Sequence, residues 1–199
     1  MNFLAHLYLS GDSDELRIGN FIADSVKGRD FGHYSEKVQH GIILHRAIDS
    51  YTDEHQVVRQ SIERLRHKYK KYSGVMVDIF YDHFLARNWD EHHHQDLAFY
   101  VDEFYEMIGT RISELPERTQ YMLPFMMRGN WLLNYQYYEG IERVLQGMSQ
   151  RTKFDSRMEE GVADLKSMHR EFEQDFNDFF PDLKSFVNTF IEKELWTEF

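Results

Sequence analysis

Residues 74–87, GVMVDIFYDHFLAR, carry apolar side chains on nearly every side of the helix that their spacing predicts. A helix that is apolar all round is typical of a protein core. Asp78 and Asp82 are four residues apart in this stretch, so their side chains lie one above the other. A buried carboxylate is costly unless it is paired, protonated or bound to a metal. The two together therefore predict a shared cation, which we take to be a divalent metal ion.

A second pair of ionisable residues lies in HGIILHRAIDSYTD, residues 40–53. His45 and Asp49 share one stripe of this predicted helix, and imidazole and carboxylate are both suitable ligands for one ion at neutral pH. An intrahelical hydrogen bond between the two side chains is the alternative. Two such pairs in one chain favour a metal site over two unrelated polar pairs.

His6 and Asp24 are further candidate ligands. His6 lies in the apolar first stretch of the chain, and Asp24 ends the apolar run IGNFIAD. Taken singly, the first is typical of a hydrogen-bonded core histidine and the second of a carboxylate at a helix end. Joined to the two pairs above, they complete a mixed shell of His and Asp ligands that suits Mn²⁺, Mg²⁺ or Fe²⁺.

The chain of 199 residues is predicted to form an all-α, compact single-domain bundle that spans residues 1–199. Apolar residues recur at spacings of three and four, and no stretch alternates as a half-buried strand does. Cysteine is absent, which excludes disulfides, a thiolate nucleophile and a zinc-thiolate site. The predicted helices are 2–9, 13–27, 35–54, 56–71, 75–88, 92–109, 116–128, 130–149, 154–179 and 182–195.

Charge and hydropathy limit the partners of the protein. The formal net charge of −11 argues against non-specific binding to nucleic acid or to an anionic membrane. The opening MNFLAHLYLS lacks a positively charged leader, and no run reaches the roughly 20 apolar residues that span a bilayer. We therefore expect a cytoplasmic protein.

Residues 59–71, RQSIERLRHKYKK, contain six Lys or Arg and a single acid. An amphipathic helix with a solvated charged face is the simpler interpretation. The alternative is a surface that binds an acidic partner. The candidate partner-binding residues are Arg59, Arg64, Arg66, Lys68, Lys70 and Lys71.

Several segments resemble those of one enzyme family, the acyl-carrier-protein phosphodiesterases, also called acyl carrier protein hydrolases. These segments are MNFLAHL at 1–7, GNFIAD at 19–24, GIILHRAID at 41–49 with TD after it, and DIFYDHFLARNW at 78–89. The resemblance extends over most of the chain through NWLLNY at 130–135, GMSQR at 147–151 and FNDFFP at 176–181.

The resemblance implies a helical bundle related to the HD-type metal-dependent phosphohydrolases, which gather His and Asp ligands in a bundle core. It implies hydrolysis of the phosphodiester that joins 4'-phosphopantetheine to a serine of holo acyl carrier protein, typically with Mn²⁺ or Mg²⁺. Together with the ligand types above, we expect Mn²⁺, with Mg²⁺ or Fe²⁺ as alternatives. The order Asp82-His83 is the reverse of the usual His-Asp pair of HD enzymes. By matching positions, the candidate metal ligands are His6, Asp24, His45, Asp49 and Asp82, and the candidate catalytic residues are Arg46, Asp78 and His83.

In such a reaction Asp78 or His83 accepts a proton from the attacking water, and Arg46 stabilises charge on the transferring phosphate. Two other functions fit the same sequence. One is an HD-like phosphohydrolase that acts on a small nucleotide. The other is a non-catalytic helical module that binds an acidic partner through residues 59–71, its buried polar groups being paired with one another.

Overall fold

A computed structural model describes residues 1–28 and 30–195, and within them it contains helices and no strand. This confirms the all-α prediction. Residue 29 and residues 196–199, which the predicted 1–199 domain includes, lie outside the described part. The α-helices are α1 (Phe3–Leu9), α2 (Asp14–Ile22), α3 (Glu36–Glu54), α4 (Gln56–Tyr69), α5 (Ser73–Arg87), α6 (Leu97–Thr110), α7 (Glu117–Arg128), α8 (Trp131–Asn134), α9 (Tyr138–Arg151), α10 (Gly161–Ser167) and α11 (His169–Phe190). A 3₁₀ turn, Ala23–Ser25, extends α2, and a π-helical stretch, Ile191–Leu195, follows α11.

The α5 helix lies at the centre of the fold. Every residue from Met76 to Ala86 is buried except Asp78, which is partly exposed. The helix packs against α1, α4, α9 and α11. The prediction that this apolar helix is a core element is therefore confirmed, and one carboxylate, that of Asp82, lies fully inside the core.

Two helix starts follow from the local sequence. The hydroxyl of Ser13 accepts the main-chain N–H of Leu16 at the start of α2, and the hydroxyl of Ser35 accepts that of Val38 at the start of α3. A serine in this position satisfies one free N–H group of the first turn and stabilises the helix by about 1 kcal/mol. These caps fix the starts of the two helices that lead to the candidate ligands Asp24 and His45.

The predicted helix 130–149 is divided into α8 and α9. The side-chain amide of Asn134 donates to the carbonyl oxygens of Gly129 and Asn130, so it competes with the helical hydrogen bonds of this segment. After α8 the backbone of Gly140 approaches that of Asn134 closely. A Cβ atom added to Gly140 would run into the carbonyl oxygen of Asn134, so glycine is required at this position.

The predicted break between helices 154–179 and 182–195 is wrong, because α11 continues through Pro181. Proline removes one backbone hydrogen bond from a helix interior and destabilises the helix. Burial of the apolar side chains of α11 in the core offsets this loss. Pro181 itself is on the exposed side of the helix. The break in this part of the chain lies instead at Met168, between α10 and α11.

The α2 and α3 helices cross at two glycines. A Cβ atom added to Gly19 would run into the carbonyl oxygen of Val38 and lie 2.8 Å from the Cα atom of Gly41. A Cβ atom added to Gly41 would likewise run into the carbonyl oxygen of Leu16. The two backbones therefore touch, which brings the end of α2 against the middle of α3.

A buried ionic network joins α4 and α11. Arg64 donates to one oxygen of Asp175 over 3.1 Å, and the hydroxyl of Ser61 donates to the other over 2.6 Å. The same hydroxyl lies 2.9 Å from that of Tyr81 on α5. Because Asp175 is buried, it requires this pairing, and Arg64 is part of the fold.

No helix of the described residues is both long enough and apolar enough to cross a membrane.

Candidate metal centre

Two histidines and one carboxylate, from α1 and α3, meet in a group that we call the His-Asp cluster: His6, His45 and Asp49. Their ligand atoms all lie within 4.8 Å of one another. His6 Nε2 is 3.2 Å from Asp49 Oδ1, and His45 Nε2 is 3.1 Å from Asp49 Oδ2. The two imidazole rings stack with their centroids 4.0 Å apart. The structure thus brings together three of the five predicted metal ligands.

Three of the four ring nitrogens of this cluster, His6 Nδ1, His6 Nε2 and His45 Nε2, lack a hydrogen bond of good geometry within the described residues. The Nε2 atoms of His6 and His45 are buried, and neither has a hydrogen-bond partner within the described residues, although each lies close to a carboxylate oxygen. Buried polar atoms in native proteins are nearly always satisfied. Nitrogen and oxygen atoms that converge in this way without bonding to one another fit the donor set of a bound cation.

Asn20 orients His45 and is not among the site residues predicted from the sequence. His45 Nδ1 lies 2.9 Å from the main-chain oxygen of Asn20 and 3.1 Å from its Oδ1. Both atoms are acceptors, so Nδ1 carries a proton, and Nε2 is the ring atom that can bind a cation once its own proton is released. The Asn20 amide also donates to the main-chain oxygen of His6 and to the hydroxyl of Ser10, each over 2.9 Å. A buried asparagine inside the apolar run GNFIAD is the sequence signal that points to it.

Asp24 adds a second carboxylate beside His45, with its Oδ1 3.3 Å from Nε2. Burial opposes protonation of His45, but Asp24 and Asp49 outweigh it and raise the pKa of His45 to about 9. Burial and the adjacent His45 lower the pKa of His6 to about 4. Burial alone would raise the pKa of Asp49, yet the two histidines hold it well below its usual range. The carboxylates that attract a proton to this place attract a divalent cation for the same electrostatic reason.

Asp78 lies at the edge of the cluster. Its Oδ1 accepts a hydrogen bond of 3.0 Å from the amino group of Met1, which is also 3.7 Å from Asp49 Oδ1. Burial raises the pKa of Asp78, and the Met1 amino group opposes that shift. A partly exposed carboxylate with a raised pKa is suited to accept a proton.

Asp82, a predicted ligand, contacts the backbone of α1. Its two oxygens accept the main-chain N–H groups of Leu4, over 2.8 Å, and Ala5, over 3.2 Å. Asn2 precedes α1 and provides no side-chain cap, so Asp82 performs that function from another helix. Burial raises the pKa of Asp82 to about 7 against the effect of these N–H groups. The residue therefore positions the helix that carries His6.

The structure does not bring His83 to the cluster. His83 Nδ1 lies 2.7 Å from the carbonyl oxygen of Tyr135, and the ring packs against Tyr138. Burial lowers the pKa of His83 to about 4, partly offset by this hydrogen bond. No contact within the described residues joins it to the His-Asp cluster, and we do not retain its predicted catalytic role.

Arg46 follows His45 and is exposed. Its Nη2 lies 3.4 Å from the main-chain oxygen of Val26, and its guanidinium group lies 5.1 Å from the centre of the Phe31 ring. No carboxylate of the described residues pairs with it, so its charge is free to meet an anion beside the cluster.

The predicted partner-binding surface is partly neutralised within the chain. Three of its six basic residues form ion pairs: Arg64 with Asp175, Arg66 with Glu63, and Lys68 with Glu160 and Asp164. Arg59, Lys70 and Lys71 form none with the described acids. The α4 helix therefore presents less free positive charge than its sequence predicts.

Replacing Asn20 with Ala should weaken Mn²⁺ binding by about tenfold, the lower end of the usual range for residues that orient a metal-bound histidine, because the main-chain oxygen remains. Isothermal titration with Mn²⁺ measures this change. Gln39→Ala is a matched control, since within the described residues the side chain of Gln39 hydrogen-bonds only the main-chain oxygen of Tyr34. Equal Mn²⁺ affinity in the Asn20 variant and wild type would contradict the role of Asn20.

Known proteins resemble this chain over most of its length. The sequence model described as acyl carrier protein phosphodiesterase matches residues 1–183. A protein of that name from Photorhabdus laumondii is 34% identical over 91% of this chain and 92% of its own. The one from Salmonella agona is 32% identical over 91% and 94%, and the one from Pectobacterium atrosepticum is 30% identical over 95% and 98%.

No solved structure matches the chain, so the predicted likeness to HD-type enzymes stays a prediction. The family match extends from α1 to α11 and includes every residue of the His-Asp cluster. On this match and these relatives, the chain belongs to the acyl carrier protein phosphodiesterases, a family of hydrolases.

Proposed function

We propose that this protein hydrolyses the phosphodiester between 4'-phosphopantetheine and the serine of a holo acyl carrier protein, with a divalent metal ion held by His6, His45 and Asp49. The observation that carries the proposal is the pair of buried imidazole nitrogens that face a shared carboxylate without hydrogen bonds. The family supplies the substrate class. Membership of a hydrolase family favours an enzyme over a non-catalytic module.

The donor set of two imidazoles and a carboxylate, with Asp24 at its edge, favours Mn²⁺, with Mg²⁺ or Fe²⁺ as alternatives. A divalent ion there supplies Lewis-acid stabilisation of the charge that develops on a phosphoryl oxygen. Asn20 keeps the proton of His45 on Nδ1, so that Nε2 stays available as a ligand.

The remaining steps belong to side chains at the rim. Arg46 binds a phosphoryl oxygen, because its guanidinium group has no acidic partner among the described residues. Asp78 accepts the proton of the attacking water. Water adds to phosphorus, the bond from phosphorus to the serine oxygen breaks, and that oxygen takes a proton from solvent. The products are apo carrier protein and 4'-phosphopantetheine.

Intact mass measurement of the carrier protein tests this reaction. Incubation of holo carrier protein with enzyme and Mn²⁺ should convert it to the apo form, with one phosphopantetheine released per chain. A chelator should stop the conversion, and added Mn²⁺ should restore it, because the proposed reaction depends on the charge stabilisation that the ion supplies.

Two results would contradict the proposal separately. Conversion at an unchanged rate by protein that elemental analysis shows to be free of metal would refute the metal. Absence of conversion with metal present, together with hydrolysis of a small nucleotide, would refute the carrier-protein substrate and favour the nucleotide alternative.

A further inference from the structure

The outer face of α7 is a surface that no other element of the described chain covers. Arg118, Tyr121, Phe125 and Arg128 are spaced by three, four and three residues, so they form one stripe along the helix. Tyr121 is 75% exposed and Phe125 is 50% exposed. Their rings lie 5.4 Å apart. The stripe therefore places two neighbouring aromatic rings between two arginines.

The arginines of this face have free charges. Neither Arg118 nor Arg128 pairs with an acid of the described residues. Beyond the end of α7, Arg143 and Arg151 line a pocket of about 160 Å³ next to Gly129, and they also lack such a pair. Residues 115–151 hold four arginines and three glutamates, whereas the whole chain has a net charge of −11. The region is thus locally positive on an acidic protein.

Exposed aromatic side chains next to arginines are typical of protein interfaces. Large apolar side chains that lie together at a surface mark binding sites, and Tyr and Arg are enriched among the residues that dominate binding energy. An arginine that is not paired within its own chain offers its charge to a partner. The partner that fits this stripe has a negatively charged surface with apolar side chains at its centre.

The stripe lies close to the candidate metal centre. At the start of α7 the hydroxyl of Thr119 donates to that of Ser25 over 3.0 Å. Ser25 directly follows Asp24, whose carboxylate is 3.3 Å from His45 Nε2. A protein bound along α7 would therefore have one end beside the rim of the His-Asp cluster.

We infer that the outer face of α7 is the docking surface for an acidic acyl carrier protein. The inference rests on the proposed function for the identity of the partner. Two acidic proteins repel each other at long range, so productive approach requires a local positive surface. Three of the six basic residues of 59–71 are neutralised by ion pairs, whereas neither arginine of the α7 stripe has an acidic partner among the described residues.

The test is a binding measurement with an acidic apo acyl carrier protein, so that turnover does not interfere. The double variant Arg118→Glu, Arg128→Glu should raise the Kd by about tenfold or more at low salt. The loss should shrink at high salt, because exposed charges are then screened. The variant Tyr121→Ser, Phe125→Ser should lose affinity at every salt concentration. With holo carrier protein as substrate, KM should rise while kcat at saturation changes little.

A charge-matched control is Lys37→Glu, Arg170→Glu, because both residues are exposed and neither lies in an ion pair of the described chain. This control should keep the wild-type Kd, and circular dichroism checks that each variant folds. Equal Kd values for the α7 variants and the control would overturn the inference. A larger effect from Arg59→Glu, Arg66→Glu would also overturn it and restore α4 as the docking surface.

The outcome also separates docking from catalysis. Wild type that binds carrier protein through α7 without releasing phosphopantetheine would refute the proposed reaction and leave the surface standing. If the α7 variants instead convert a wild-type dimer to monomers and bind carrier protein normally, the stripe joins two copies of this chain and the inference fails.

Discussion

Replacing Asp49 with Ala is expected to abolish both metal binding and hydrolysis of holo carrier protein. Asp49 is the carboxylate that both histidines approach, at 3.2 Å and 3.1 Å. Loss of a residue that merely orients a ligand costs about 10- to 100-fold, so loss of a direct ligand should exceed about 100-fold. Elemental analysis measures bound Mn²⁺, and the mass assay measures turnover.

Glu54→Ala is a suitable control for this variant, because Glu54 lies at the end of α3, is exposed and forms no ion pair with the described residues. The side chain of Asp49 is 42% exposed, so its removal should leave the helical circular dichroism intact. A folded Asp49 variant that still binds one ion per chain and turns over normally would exclude the His-Asp cluster as the metal centre.

The substitution Gly41→Ala is expected to be strongly destabilising, although alanine is the better helix former. A Cβ atom there would lie 2.8 Å from the Cα atom of Gly19 and would run into the carbonyl oxygen of Leu16. Overpacking of this kind typically costs about 1–3 kcal/mol, and two backbones yield less readily than side chains. Urea denaturation measures the free energy of unfolding. The metal affinity should fall as well, since α2 would move Asn20 away from His45.

The substitution Gly147→Ala, in contrast, should not lower the free energy of unfolding. Gly147 lies inside α9, and a Cβ atom there meets nothing within 4 Å. Alanine should therefore leave stability unchanged or raise it by up to about 1 kcal/mol through its helix propensity. If Gly41→Ala stabilises the protein as Gly147→Ala does, the close contact of α2 and α3 is not required.

Helix positions and the polar stripe on α3 could be predicted from the sequence because both depend on residues close together in the chain. The burial of α5 follows from its apolar character on all sides. His45 and Asp49 share a face because they are four residues apart. These inferences require only the local sequence and no knowledge of which helices pack against α3 and α5.

The role of Asp82 could not be predicted, because it depends on residues that are far away in the chain. Its spacing from Asp78 places the two on one face, but only the fold decides that the N–H groups of Leu4 and Ala5 lie against it. Main-chain donors are the same in every sequence, so no pattern reveals them. The partly exposed Asp78 and the buried Asp82 therefore have different environments in spite of their common stripe.

The free charge of the basic stretch 59–71 could not be predicted either, because its counter-charges come partly from distant residues. Arg64 is paired with Asp175, which is 111 residues away in the chain. Composition within 59–71 indicates free positive charge, whereas tertiary contact supplies the counter-charge from α11. On α7 the spacing of Arg118 and Arg128 is equally plain in the sequence, but their freedom from acidic partners is a property of the fold.

The capping of α1 by Asp82 has a thermodynamic consequence. A helix of seven residues is too short to be stable by itself, so α1 depends on its contacts with the rest of the protein. An ion that needs His6 binds only the form in which α1 is docked. By reciprocity, occupancy of the ion stabilises the docked helix by the same free energy that docking contributes to the affinity for the ion. Under the proposed function, the first helix and the metal ion would in this sense be ligands of each other, and loss of the ion would let α1 leave the core more often.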